Sequence, residues 1–187
     1  MASNLVVARG GVEYVPPISL AFWRWFFVFL ILLPFTYHKI FKNIKHLKKE
    51  SKKLFFLGAM GCGVCGAFPF MAGMTTTVAN MGIIYTSSPI FIILISSYFY
   101  KERLSTIQFL GLGLCFAGVV SIIAKGNMSI LVSLKFTSGD LWMLGAAVGW
   151  ALYAILLLNW KSKFSLFSRF TIIAFFGAAS LLPFSLI

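Results

Sequence analysis

Residues 54–100 read LFFLGAMGCGVCGAFPFMAGMTTTVANMGIIYTSSPIFIILISSYFY and contain no Asp, Glu, Lys or Arg. As one helix, this run of 47 residues would be about 70 Å long, more than twice the roughly 30 Å hydrocarbon core of a bilayer. The run must therefore fold back on itself, and the polar cluster at residues 75–80 is the predicted turn. Strands of a membrane barrel would instead alternate apolar and polar residues in segments of about ten. The run predicts two membrane-spanning helices, at residues 54–74 and 79–100.

The composition of the whole chain extends this prediction to an all-α, polytopic transmembrane helix bundle. Of the 187 residues, 60% are hydrophobic and 11% are charged, whereas soluble domains have roughly 45–50% and about 25%. A soluble globular domain and a disordered chain are therefore excluded. The same apolar pattern predicts four further spans, at residues 18–37, 104–124, 141–160 and 170–187. Ser105 and Thr106 are cap candidates for the second of these, and Asp140 is the predicted N-cap of the third.

Both ends of the chain are abrupt. Residues 1–8 are apolar but too few to cross a bilayer, and residues 181–187 stop at the edge of a span. The first stretch is typical of the outer half of a helix. We therefore expect a gene product that is truncated at both ends.

The basic residues predict the orientation of the spans. If alternate loops lie on the same side of the membrane, twelve of the 16 Lys and Arg residues fall on that side. Seven of these twelve are lysines of the loop at residues 38–53. Cytoplasmic loops of membrane proteins carry an excess of Lys and Arg. The Lys-rich loop 38–53 is therefore predicted to be cytoplasmic, in a multi-pass protein of the inner membrane. The net charge of +12 is then an orientation signal, and nucleic acid is not a predicted partner.

Apolar residues recur at helical spacing within this basic loop. They are Ile40, Phe41, Ile44 and Leu47, with lysines between them. One interpretation is a solvated loop that only sets the topology. The other is an amphipathic segment that lies on anionic membrane lipid.

Residues that could carry catalysis are scarce. Both histidines lie in the basic loop, and all four carboxylates lie at span edges or in loops. No paired acids, nucleophile–base set or metal-ligand spacing is visible, so neither an enzyme nor a metal or cofactor site is predicted. Cys62 and Cys65 form a C-x-x-C pattern inside an apolar, glycine-rich helix. There they are predicted to allow close helix packing rather than redox or metal chemistry.

Small residues recur on two other spans. Gly145 and Gly149 form a G-x-x-x-G pattern, and Gly111, Cys115 and Gly118 form a stripe on a separate span. Such stripes let helices approach closely. They predict either packing of spans within one chain or a homodimer interface.

Proline in the middle of a span is the first indication of a transport path. Pro89 cannot donate a hydrogen bond to the carbonyl of Tyr85, and Pro69 has the same effect on the carbonyl of Cys65. A carbonyl freed at mid-membrane is tolerated only against protein or in a wet cavity. Tyr85, Ser88 and Pro89 are therefore path candidates. The alternative is a proline kink whose carbonyls are satisfied by neighbouring hydroxyls.

Arg24 is the only charged residue well inside a whole span. Charges inside a membrane are costly and usually face a partner or a cavity. Glu13 is the nearest partner in sequence, and both structural pairing and substrate contact stay open for Arg24. Trp23 and Trp25 beside it are typical of an interfacial aromatic belt.

An internal match indicates a repeat. The sequence LLPF occurs at residues 32–35 and again at 181–184, an offset of 149, and two phenylalanine pairs match in the same register. On this offset the second copy begins at the span that contains Trp150 and Tyr153. Each copy then has five spans, and an odd number of spans inverts the next copy. The sequence predicts inverted five-helix repeats, the first nearly complete and the second partial.

Several stretches resemble the EamA-like permeases of the drug/metabolite transporter superfamily. The most specific are YTSSPIF at 85–91 and YKERLS at 100–105, followed by Gly111 and GVV at 118–120, which are similar to the family's fourth and fifth helices. Pro17 and Ile18 with Arg24 resemble its second helix. GDL at 139–141 and WA at 150–151 resemble the opening of its second repeat.

The resemblance implies ten helices in two inverted repeats around a central substrate pathway. Residues 1–126 would form the first repeat and residues 139–187 the start of the second. The implied function is a permease that moves small metabolites across the cytoplasmic membrane, with export as one direction. The candidate path residues are Asn4, Arg24, Tyr85, Ser88, Pro89, Trp150 and Tyr153. The alternative function is a non-transporting membrane scaffold or assembly subunit.

Overall fold

The structure is a computed structural model that describes residues 2–12, 14–100, 105–124 and 137–185. This part of the chain is built from helices and contains no strand. The helices are α1 (Ala2–Gly11), α2 (Pro17–Lys42), α3 (Ile44–Gly58), a π-helical segment (Ala59–Val64), α4 (Cys65–Gly73), α5 (Val78–Thr86), α6 (Ser88–Tyr100), α7 (Thr106–Ala124), α8 (Ser138–Asn159) and α9 (Leu166–Ser185). The prediction of an all-α helix bundle is confirmed.

Five helical stretches in the described part of the chain are long and apolar enough to cross a membrane. They are Pro17–Lys42, Ile44–Gly73, Val78–Tyr100, Ser138–Asn159 and Leu166–Ser185. They coincide with five of the six predicted spans. The sixth predicted span, residues 104–124, corresponds to α7, which is not among the five stretches. The first residue of this predicted span lies outside the described residues. The sixth span and the inverted relation of the repeats stay predictions.

The long uncharged run turns at the predicted polar cluster. The chain leaves α4 after Gly73 and enters α5 at Val78. Thr77 caps α5, because its side chain accepts a hydrogen bond from the backbone N–H of Asn80 at 3.2 Å. On the other side of the turn, Nη1 of Arg9 donates to the carbonyl oxygen of Gly73 at 2.5 Å. The turn is thereby tied to α1.

The Lys-rich segment at residues 38–53, which connects the first two whole spans, is helical on both sides of Asn43, so α2 and α3 form a helical hairpin. α2 continues to Lys42 and α3 begins at Ile44, with a break only at Asn43. The side-chain amide of Asn43 donates to the carbonyl of Lys39 at 3.0 Å, which satisfies one of the exposed carbonyls at the helix end. Ile40 is buried, whereas Phe41 is 66% exposed. The apolar residues of this segment therefore divide between the protein interior and the outer surface.

The predicted N-cap of the span at 141–160 is also wrong. Thr137 is the N-cap of α8, and Asp140 is the third helical residue. The Asp140 carboxylate accepts a hydrogen bond from the backbone N–H of Thr137 at 2.6 Å, so the two residues form a capping box. A carboxylate one turn inside the helix reaches back to the cap, which places the start of α8 before Asp140.

The core lies where α9 packs against α2 and where α8 packs against α4. A Cβ atom on Gly58 would lie 2.7 Å from the carbonyl oxygen of Ile173, so α3 and α9 approach backbone to backbone. Gly145 and Gly149 face the side chains of Phe68 and Val64, which supports packing of this motif within one chain.

The small-residue stripe of α7 has a different environment. Among the described residues, no atom lies within 4 Å of the position of a Cβ atom on Gly111 or Gly118. The side chain of Cys115 is not among the described ones. A homodimer interface along α7 stays a prediction.

Candidate functional site

A cavity of about 370 Å³ lies inside the bundle. Its walls come from α1, α2, the π-helical segment, α4, α5, α8 and α9. The lining residues are Leu5, Arg24, Trp25, Val28, Gly61, Cys62, Cys65, Pro69, Tyr85, Trp150, Tyr153 and Phe170. Elements far apart in sequence therefore meet in one apolar chamber that contains few polar groups.

Four of the seven candidate path residues line this cavity: Arg24, Tyr85, Trp150 and Tyr153. The structure does not place the other three at it. Ser88 is buried at 5% exposure but does not line the cavity, and Pro89 is exposed. The side chain of Asn4 lies outside those that the structure describes, although its neighbour Leu5 contributes to the wall.

Arg24 brings a positive charge to the cavity. Its guanidinium carbon lies 4.9 Å from the ring centroid of Trp25 and 5.4 Å from that of Phe70. These distances are within the range of cation–π attraction, which offsets part of the cost of keeping a cation away from water. Glu13, the predicted partner of Arg24, lies outside the described residues.

Two N–H donors meet over Gly66 of α4. The position that a Cβ atom on Gly66 would occupy lies 2.5 Å from Nε1 of Trp25 and 3.4 Å from Nη2 of Arg24. Any side chain at this position would collide with the indole ring. Nε1 of Trp25 is buried and has no hydrogen-bond partner among the described residues. Gly66 thus provides the room in which the two donors lie side by side.

Another part of the cavity lining is an aromatic wall from α5 and α8. The ring centroids of Tyr85 and Trp150 are 6.5 Å apart, and those of Trp150 and Tyr153 are 5.4 Å apart. These separations are typical of interacting aromatic rings. Gly61 lies directly beneath Tyr153, because a Cβ atom there would lie 2.5 Å from the tyrosine ring.

The backbone irregularity around Pro69 shapes one side of the cavity. Pro69 cannot donate to the carbonyl of Cys65, and the π-helical segment Ala59–Val64 ends just before that residue. A π-helical turn is wider than an α-helical one and recurs at functional sites. Here it places Gly61 and Cys62 in the cavity wall. Pro69 indicated from the sequence that the helix is irregular here, but it did not predict the π-helical segment.

Hydroxyl–carbonyl hydrogen bonds lie at the helix break before Pro89, but those described do not reach the carbonyl of Tyr85, so the kink and path interpretations both stay open. α5 ends at Thr86 and α6 begins at Ser88. The hydroxyl of Thr86 donates to the carbonyl of Ile83 at 2.7 Å, and that of Ser87 donates to the carbonyl of Ile84 at 2.6 Å. Hydroxyls thus satisfy carbonyls just upstream of the proline. Tyr85, which lines the cavity, lies in the last turn of α5, just before this break.

Eight of the twelve lining residues are not among the candidate path residues, and for three of these eight the sequence predicts another role. The sequence predicts that Trp23 and Trp25 both belong to the aromatic belt, but Trp23 is 50% exposed whereas Trp25 lines the cavity. It predicts that Cys62 and Cys65 serve packing alone, but both also contribute to the cavity wall. The position of Trp25 next to an intramembrane arginine was the sequence feature that could have identified it as a cavity residue. Within the described residues, no three His, Cys, Asp or Glu side chains are grouped so that they could hold a metal ion.

The fold and cavity define a polytopic helical membrane protein with an internal chamber. The model of the EamA-like transporter family matches residues 1–124, and the chain belongs to this family.

Relatives of known sequence carry the same general assignment. The chain is 29% identical over 185 residues to a Bacillus subtilis protein named "Uncharacterized transporter YyaM". The matched region covers 96% of this chain and 59% of that protein. It is also 29% identical to an uncharacterized transporter of Archaeoglobus fulgidus, over 99% of this chain and 63% of that protein. The chain therefore spans about three fifths of the length of these relatives. No solved structure matches the chain.

Proposed function

We propose that this chain moves small metabolites across the cytoplasmic membrane through the cavity that contains Arg24. The observation that carries the proposal is that side chains of α2, α5 and α8 meet in one chamber of a protein from a transporter family. Small-molecule sites typically enclose about 300–1,000 Å³ and have apolar walls with a few polar groups. The cavity, with its one arginine and two tyrosines, has these properties.

The proposed orientation places the Lys-rich end of the α2–α3 hairpin, residues 38–53, in the cytoplasm. The hairpin contacts the segment between α8 and α9, because the hydroxyl of Ser162 donates to Oε2 of Glu50 at 2.6 Å. Nζ of Lys53 also lies 5.7 Å from the ring centroid of Trp160. Two lysine-bearing segments are therefore neighbours at one end of the bundle, which supports a common cytoplasmic side under the positive-inside rule.

The proposed repeats are residues 1–126 and 139–187. The helices matched by the LLPF sequence, α2 and α9, each contain the proline of that sequence within the helix, Pro34 and Pro183. They also pack against each other extensively. Contact between matched helices is expected when two repeats are related by an axis that passes between them, and this supports the assignment.

Flux measurements on the purified chain in proteoliposomes test the proposed function. A panel of labelled metabolites is loaded on one side, and both directions of movement are followed. We expect flux of at least one metabolite, reduced at least tenfold by Trp150→Ala in the cavity wall. Trp23→Ala is the matched control, because it removes the same side chain from an exposed site on α2.

Two results would contradict the proposal. One is the absence of flux for every metabolite in the panel, and the other is an equal effect of the two tryptophan substitutions. Stable co-purification with one partner protein, together with no flux, would instead support the scaffold alternative.

A further inference from the structure

The charge of the cavity restricts what it can bind. Arg24 is the only Asp, Glu, Lys or Arg among the described residues that line it. A cation that enters would meet a like charge in surroundings of low dielectric constant, where such repulsion is strong. A carboxylate would meet an opposite charge. The described walls offer no carboxylate to pair with a ligand ammonium group.

The arrangement of donors suits a carboxylate in particular. Nη2 of Arg24 and Nε1 of Trp25 both lie close to Gly66, so the two donor nitrogens are near neighbours. A carboxylate has two oxygens that accept hydrogen bonds from adjacent N–H groups. It would also give the buried Nε1 of Trp25 the acceptor that the described residues do not provide.

The remainder of the cavity favours a bulky apolar group. Trp150, Tyr85 and Tyr153 form a continuous aromatic wall, and Phe170 of α9 lines the cavity with its ring against that of Trp25. Aromatic faces and edges pack well against another aromatic ring. We infer that the cavity binds organic monocarboxylates with an aromatic or similarly bulky apolar body, in preference to zwitterions and cations of the same shape. This inference rests on the proposed transport function and specifies its substrate class.

Three probes with the same phenyl group separate these classes by charge. They are 3-phenylpropionate, phenylalanine and phenethylamine, with net charges of −1, 0 and +1 at neutral pH. Binding to the purified 187-residue chain in detergent is measured by calorimetry. We expect 3-phenylpropionate to bind at least tenfold more tightly than phenylalanine, and phenethylamine to bind more weakly than either. Equal affinities, the reverse order or no binding of any probe would overturn the inference.

Variants test whether the named donors are responsible. Arg24→Gln removes the charge and should weaken 3-phenylpropionate binding at least tenfold, whereas Arg24→Lys retains the charge and should lose less. Trp25→Phe retains an aromatic ring without the N–H and should weaken binding severalfold. Lys163→Gln removes an exposed charge remote from the cavity and should leave binding unchanged. Unchanged affinity in both Arg24→Gln and Trp25→Phe would contradict the inference.

Binding and flux separate the inference from the transport proposal. The order of affinities among the three probes is measured on the unaltered chain, so it does not depend on the folding of any variant. If this order is found but no probe crosses the membrane, the substrate class stands and transport by the chain fails. If all three probes cross at similar rates, transport stands and the inferred substrate class fails.

Discussion

The hydroxyl of Thr76 donates a hydrogen bond to the carboxylate of Asp140, and this contact joins the α4–α5 turn to the start of α8. Asp140 is 1% exposed. Nδ2 of Asn80 lies 3.3 Å from each of its oxygens, and the N–H of Thr137 lies 2.6 Å from one of them. Because a buried carboxylate is tolerated only where donors replace water, this network specifies one arrangement of the turn.

Removal of the Asp140 carboxylate should therefore destabilise the protein strongly. Asp140→Ala leaves the donors of Thr76, Asn80 and Thr137 without their common acceptor, and each unsatisfied buried group costs about 1–3 kcal/mol. We expect a loss of about 3 kcal/mol or more in the free energy of unfolding, measured by denaturant titration in detergent micelles. Asp140→Asn keeps one acceptor oxygen and should lose about half as much.

Ser138→Ala provides the matched control for this prediction. Ser138 lies in the same first turn of α8, but it is exposed, and among the described residues its hydroxyl contacts that of Thr75 at 3.3 Å. Its replacement should change the free energy of unfolding by no more than about 0.5 kcal/mol. A similar small change for Asp140→Ala would show that the network does not stabilise the fold.

The sequence predicted the spans because apolar length alone determines them. A run of 47 residues without a charge has to turn, and the polar cluster at residues 75–80 lies at the turn that is observed between α4 and α5. The charge of Arg24 and the position of Tyr85 near Pro89 likewise indicated two cavity residues, because both features are costly in lipid.

The faces of the spans could not be predicted in the same way. Spans in this chain are apolar on all sides, so the periodicity that reveals the buried face of a soluble helix is absent. Trp23 and Trp25 looked equivalent for this reason, although one is exposed and the other lines the cavity. The contact of Asp140 with Thr76 connects residues 64 positions apart, and no local pattern encodes it.

Gly61 should be intolerant of even a methyl group. A Cβ atom there would lie 2.5 Å from Cδ2 of Tyr153, so alanine would force the tyrosine ring to move. Overpacking of this kind costs about 1–3 kcal/mol, and the displaced ring would also enter the cavity. We expect Gly61→Ala to lower the free energy of unfolding by that amount and to weaken ligand binding.

Gly111→Ala on α7 is the matched control for Gly61→Ala. A Cβ atom at Gly111 would have no neighbour within 4 Å in the described part of the chain, and alanine favours a helix over glycine by roughly 0.5–1 kcal/mol. This substitution should leave stability unchanged or raise it slightly. Equal stabilities of the two variants in the same denaturant titration would contradict the close contact between Gly61 and Tyr153.

The orientation can be tested by labelling of introduced cysteines in intact cells. Lys45→Cys on α3 and Lys163→Cys before α9 should be protected from an impermeant thiol reagent, because both positions are predicted to be cytoplasmic. Ser138→Cys, an exposed residue at the opposite end of the bundle, should react. Labelling after cell lysis confirms that the protected positions are accessible, and the unaltered chain reports the background of the native cysteines. Reaction of Lys45→Cys in intact cells would reverse the proposed topology.

Glu50 should hold the segment between α8 and α9 against the Lys-rich hairpin. Its carboxylate accepts from the hydroxyl of Ser162 at 2.6 Å and faces the backbone N–H of Lys163 at 3.4 Å. Glu50→Ala removes both acceptors, and because the site is partly exposed we expect a loss of only about 1 kcal/mol in the free energy of unfolding. The released segment should be cleaved faster by trypsin at its lysines, measured as the rate at which the intact chain disappears. Ser51→Ala, whose hydroxyl bonds only within α3 to the carbonyl of Lys48 at 2.9 Å, should be cleaved at the original rate. Equal rates for the two variants would mean that Glu50 does not restrain this segment.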